Sequence, residues 1–198
     1  MNEGSPRILV AGLGNIFLGD DAFGVEVARR LLQAPPPGDV RVVDFGIAGI
    51  DLIYSLLDGY DLVILIDAVA RGEGPGTLYV IEPEMPDDGQ NNTSVTEMLD
   101  PHDMDPAKVL RMVTSLGGRV GRVLLVGCEP TPMDEHADMS DGLSEPVRNA
   151  VEHAVELTMR LVADAHKDDG RTLSACTVAG DPAALAQPMS AGLKEANQ

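Results

Sequence analysis

The chain has 198 residues, enough for one domain with a substantial core, and its 44% hydrophobic content is that of an ordinary globular protein. Aromatic residues make up only 3% and tryptophan is absent, so Val, Leu, Ile, Ala and Met must build the core. A formal charge of −18 speaks against nucleic acid or an anionic membrane as a partner, and no apolar run reaches the length of a membrane span.

The first element is the most informative. Ile8 to Ala11 is an apolar run of strand length, and Gly12 and Gly14 follow it with the backbone freedom of a loop. Phe23, Val27, Arg30 and Leu31 then keep a helical rhythm, with Val25 and Ala28 on the apolar side. Asp20 and Asp21 stand where that helix begins, so one carboxylate is expected to cap its free N–H groups while the other points elsewhere. In an open α/β sheet, ligands bind just beyond the carboxyl end of a strand. A dinucleotide fingerprint fails here, because Phe17 stands where its third glycine belongs and the following acids would repel a pyrophosphate. Only Asp44, in the position of a ribose-binding acid, keeps a nucleotide-binding alternative open. A site that wants a cation fits the charge better.

After the break at Pro35–Gly38, Val40 to Phe45 reads as a second strand and Ile50 to Leu57 as a short helix. Asp61 to Asp67 is a third strand, apolar enough to be covered on both faces. A glycine-rich turn leads to a fourth strand, Thr77 to Ile81, placed at an edge and antiparallel. A polar loop from Glu82 to about His102 and a helix over roughly Pro106 to Leu116 precede a fifth strand, Arg122 to Cys128. A long helix from Ser144 to about Ala165 closes the domain, with Val147, Val151, Ala154, Val155, Thr158 and Leu161 in register. The expected architecture is α/β: a three-layer sandwich with a mainly parallel, twisted sheet of about five strands and helices on both faces. Residues 1–167 form the single domain and residues 168–198, which lose periodicity, a disordered tail.

Parallel strands present their carboxyl ends on one edge, which gathers Asp21, Asp44 and Asp67 there. Helix capping and solvation account for any one of them; three together point to a functional acidic cluster. His102, in the long loop, would complete an oxygen–oxygen–nitrogen set able to hold nickel, zinc, manganese or iron. His153 and His166, on the last helix, read as structural or solvent-facing, and His136 as an isolated loop histidine. Cys128 reads as a small buried residue rather than a nucleophile, and Cys128 with Cys176 makes no disulfide framework. The opening MNEGSPR lacks the basic start and apolar stretch of a signal peptide, so the expected compartment is the cytoplasm. Neither GxSxG nor HExxH occurs, which removes the serine-hydrolase and zinc-peptidase motifs.

The blocks GLGNIFLGDDAFGVEV, DFGIAGIDL, LIDAV, PGTLYVIE, DPHDMDP and VGCEP, in this order and spacing, resemble the nickel–iron hydrogenase maturation endopeptidases over roughly Arg7 to Leu161. That resemblance implies an endopeptidase that removes the C-terminal extension of the hydrogenase large-subunit precursor once nickel is inserted. It implies metal binding by Asp21, Asp67 and His102, with Asp44 a further acid near the site, so that these four form the catalytic set. Asp21 or Asp44 would accept the proton of the attacking water. Nickel would be supplied by the precursor, and the enzyme would work as a monomer. Ile47 stands where many relatives carry threonine, so the resemblance carries no hydroxyl role over to that position. A nickel-binding maturation chaperone without proteolytic activity would use the same ligands, and a nucleotide-binding protein would use Gly12 and Gly14 instead.

Overall fold

A computed structural model describes residues 5–83, 106–132 and 142–167. The strands are β1 (Ile8–Leu13), β2 (Val40–Gly46), β3 (Tyr60–Ala68), β4 (Leu78–Ile81) and β5 (Val120–Cys128). The helices are α1 (Phe23–Gln33), α2 (Gly49–Leu56), α3 (Pro106–Ser115) and α4 (Glu145–Lys167). A 3-10 turn, Gly19–Ala22, leads directly into α1.

The five strands form one sheet in the order β2-β1-β3-β5-β4. β1 pairs in parallel with β2 and β3, and β3 in parallel with β5. β4 returns antiparallel on β5, as its short glycine-rich connection requires. Starting at β1 and stepping outward in both directions produces a strand-order reversal at β1, the place where an open sheet leaves a crevice.

Strand alternation divides the core in two. Ile8 and Val10 of β1, Leu62, Ile64 and Ile66 of β3, and Leu124 and Val126 of β5 face α1 and α4. Their neighbours Leu9, Ala11, Val63, Leu65, Val123 and Leu125 face α2 and α3. Both faces of the three central strands are thus covered, which is why they read as unbroken apolar runs rather than alternating ones.

Two glycines set how closely α1 lies on the sheet. A Cβ on Gly12 would come within 2.5 Å of the Ala28 Cβ, and one on Gly24 within 2.0 Å of the Ile66 carbonyl oxygen. Gly12 therefore serves close packing inside β1 rather than an unusual backbone angle; the positive φ belongs to Gly14, at 123°. The register lines up the strand ends: Gly12 lies beside Asp44 and Ile66, and Asp67 beside Gly127. The carboxyl ends of β1, β2, β3 and β5 therefore open on one edge. The expected tail, residues 168–198, lies outside the described residues.

Candidate active site

The loop after β1 is shaped by its own side chains. Asn15 Oδ1 accepts from the Phe17 N–H at 3.0 Å and the Asn15 carbonyl accepts from the Leu18 N–H at 3.0 Å, a tight turn led by an asparagine. The turn swings the chain back so that Asp21 Oδ2 accepts from the Asn15 N–H at 2.7 Å. Gly14 is obligatory for this, since a Cβ there would sit 1.7 Å from the Asp21 carbonyl oxygen. The Gly14 N–H also donates to the Gly46 carbonyl at 3.0 Å, joining this loop to the end of β2.

The adjacent acids have separate tasks, and neither caps α1. The 3-10 turn satisfies the entry of α1 by itself: the Asp21 N–H donates to the Leu18 carbonyl and the Phe23 N–H to that of Asp20. Asp20 instead binds across the sheet edge. Its carboxylate accepts from the Ser144 N–H at 2.6 Å, the Ser144 hydroxyl at 2.9 Å and the Thr131 N–H at 2.9 Å. Negative charge is thereby placed at the entrance of α4, where it complements that helix's dipole. Burial acts to raise the Asp20 pKa, but these hydrogen bonds outweigh it and hold the carboxyl below its ordinary value. Asp20 fixes the frame, while Asp21 holds the Asn15 N–H of its own loop and lies close enough to Asp67 for its charge to act there.

Asp67 is the electrostatically unusual member. It closes β3 partly buried, and its Oδ1 accepts a single hydrogen bond, from the Ala68 N–H at 2.8 Å. Burial, helped by the charge of Asp21, pushes the Asp67 carboxyl up to about 7 against that one bond. The 3-10 turn carrying Asp21 packs on β3, so the structure brings these two acids together. A buried carboxylate close to a like charge and short of hydrogen-bond donors is poised to receive a proton or a cation.

Asp44 is placed differently. It is exposed at the end of β2, with Arg29 Nε 3.4 Å from Oδ2 and the Gly46 N–H donating to Oδ1 at 3.1 Å. His102, the expected nitrogen donor, lies outside the described residues, as does His136. Among the described residues no group of three histidine, cysteine, aspartate or glutamate side chains is arranged to hold a metal. The other histidines are where the helix reading puts them: His153 Nδ1 lies 3.1 Å from the Asn149 carbonyl and His166 Nδ1 lies 2.8 Å from that of Val162, each one turn back on α4. Cys128 is fully buried, and burial raises its thiol to about 12, which suits packing and not nucleophilic attack.

Sequence reasoning missed Glu129. It is 5% exposed directly after β5, and its carboxylate accepts from the Tyr79 hydroxyl at 2.5 Å and from the Arg71 and Gly72 N–H groups at 2.8 and 3.0 Å. The Tyr79 bond, above all, holds the Glu129 carboxyl below its ordinary value. The carboxylate pins the turn between β3 and β4 beside the acidic edge. Its only sequence signal was a charged residue at the end of an apolar strand.

A family model described as "Hydrogenase maturation protease" matches residues 25–161. The chain is 31% identical over 159 residues to the hydrogenase expression/formation protein HupD of Rhizobium leguminosarum bv. viciae, covering 80% of this chain and 75% of that protein. It is 31% identical over 151 residues to the hydrogenase 2 maturation protease of Escherichia coli strain K12, covering 76% and 87%. The fold superposes on the solved hydrogenase maturating endopeptidase HybD of E. coli with a TM-score of 0.61 and 27% identity, over 80% of this chain and 93% of that one.

Proposed function

Because this chain belongs to the hydrogenase maturation protease family, we propose that it cuts the C-terminal extension from a nickel–iron hydrogenase large-subunit precursor, with Asp21, Asp67 and His102 gripping nickel carried by that precursor. The family membership makes it a peptidase rather than a metal chaperone or a nucleotide-binding protein. The observation that carries the site assignment is the Asp21–Asp67 pair at the carboxyl edge of the sheet, where burial and like charge raise Asp67 to about 7. Such a pair gains most from a divalent cation, which relieves both the repulsion and the desolvation.

Two carboxylates with one imidazole are an incomplete coordination set, suited to completing the shell of a metal that another molecule already holds. Nickel is then part of the substrate. Engagement of that nickel fixes the scissile peptide at the sheet edge, and the metal supplies Lewis-acid polarisation there. The chain's own carboxylates provide the base. Asp21 can take a proton from water at the edge, while Asp44, held by Arg29, supplies a further negative charge at the end of β2. The enzyme acts as a monomer in the cytoplasm in this reading, and no helix among the described residues is long and apolar enough to cross a membrane.

The test is intact-mass measurement of nickel-loaded precursor with and without the protein. A mass loss equal to one C-terminal peptide is expected with the parent chain, and none with Asp21→Asn, Asp67→Asn or His102→Ala. Cleavage by His102→Ala at the parent rate would overturn the ligand assignment, and an unchanged precursor mass with the parent chain would overturn the peptidase reading.

A further inference from the structure

The edge strand β2 and helix α2 enclose an open groove of about 450 Å³, lined by Arg41, Val43 and Phe45 of the strand and by Asp51, Tyr54 and Ser55 of the helix, with Asp58 in the turn beyond. Asp51, Tyr54, Ser55 and Asp58 recur at helical spacing, so one stripe of α2 faces the strand. Asp44 also lines the groove, at its end nearest the acidic edge. Of the three acids in the lining, Asp44 pairs with Arg29 of α1 at 3.4 Å and Asp58 with Arg41 at 3.5 Å, while Asp51 has no ion-pair partner among the described residues, so the lining keeps a net negative charge.

Two side chains of α2 give the groove its character. Ser55 is only 7% exposed, and its hydroxyl, itself shielded from solvent, has no hydrogen-bond partner among the described residues, a costly state for a buried polar atom. Tyr54, at the same place, is 66% exposed, an aromatic face left to solvent beside two carboxylates. In addition, β2 is the last strand of the sheet on its side, so among the described residues nothing pairs with its outer backbone edge.

We propose that this groove is a docking site for a basic, extended peptide segment, which adds to the free edge of β2 and places arginine or lysine side chains against Asp51, Tyr54 and Asp58. An added strand projects alternate side chains onto the α2 side. A guanidinium there meets carboxylates for charge-assisted bonds and the Tyr54 ring for a cation–π contact. Because Asp44 lies at both the groove and the acidic edge, a segment seated here leads toward the scissile bond. Identifying the segment as part of the precursor rests on the peptidase reading above; the basic-peptide specificity does not.

The test uses a fluorescein-labelled peptide of alternating arginine and valine, read by anisotropy at physiological ionic strength. Asp51→Asn/Asp58→Asn should weaken its binding about tenfold, the loss of a charge-assisted contact. Glu152→Gln/Glu156→Gln, which removes the same charge from exposed positions on α4, should change it by less than about twofold. The Asn variant keeps the backbone carbonyl of Asp58 that Arg7 binds, and it loses only one exposed ion pair, so the fold is retained. Equal weakening by both double variants, or no binding by the parent chain, would overturn the docking site. Replacing the valines by proline should abolish binding, and unaltered binding would overturn strand addition. With nickel-loaded precursor, Asp51→Asn/Asp58→Asn should raise KM at unchanged kcat. If the parent binds the peptide but leaves the precursor uncut, the peptidase reading falls and the groove stands.

Discussion

Asp67 carries a cost that the reaction can use. Its carboxyl is raised from an ordinary 3.8 to about 7, so the folded protein binds a proton there more tightly than the unfolded chain does. The associated stability is fully present below about pH 4 and is lost as pH rises to about 7. Asp67→Asn removes that loss. In chelator-treated protein, the melting temperature of Asp67→Asn relative to the parent should therefore climb between pH 4 and pH 7 and then level off, while processing is abolished. A difference that stays flat with pH would mean that the carboxyl is not raised. His153→Ala should leave both stability and processing nearly unchanged, since the one hydrogen bond of its ring among the described residues is local, to the Asn149 carbonyl one turn back on α4.

At this scale the sequence was informative about identity and weak about partners. Asp21 and Asp67 could be placed at one edge because strand ends are readable from apolar runs. The role of Asp20 could not, because its partners Thr131 and Ser144 are 111 and 124 residues away. Capping the nearest helix was the local inference, and a long-range bond displaced it. Glu129 was illegible for the same reason, as its hydrogen bonds reach back across 50 residues and more.

Among the elements, α1 lies against β1 and β3 with no clearance to spare. Gly24→Ala would drive a Cβ into the Ile66 carbonyl at 2.0 Å and the Leu13 carbonyl at 2.4 Å, so helix and strand must part. A loss of about 3 kcal/mol is expected from such overpacking, measured by denaturant unfolding. Because α1 continues from the turn that carries Asp21, processing should fall more than the fraction unfolded explains. The element boundaries were legible in the sequence to within a residue or two, since the central strands are bounded apolar runs and the helices keep a helical rhythm. What periodicity could not convey was Gly12: it looked like half of a phosphate-binding loop, and its use is to let Ala28 approach. A close contact between two elements leaves a glycine in the sequence but not its purpose.

For the molecule as a whole, both faces of the three central strands are closed by helices within the described residues, and the sequence from Asp168 onward carries no apolar periodicity that would extend that core. A chain ending at Lys167 should therefore keep the parent melting temperature and processing rate. A marked drop in melting temperature would show that residues 168–198 complete the core. The mainly parallel sheet and the antiparallel edge position of β4 followed from the strand–helix alternation and one short glycine-rich turn, whereas the strand order β2-β1-β3-β5-β4 did not. The groove beside β2 did not, because it depends on how α2 leans on an edge strand, a property of packing rather than of pattern.

Asp21, Asp67 and His102 are proposed to read nickel as a feature of the substrate. The most direct test is intact-mass measurement of processing for nickel-loaded precursor and for precursor from nickel-starved preparations, at the same protein concentration. Cleavage of the loaded form alone is the predicted result, and equal cleavage of both forms would contradict recognition through the metal.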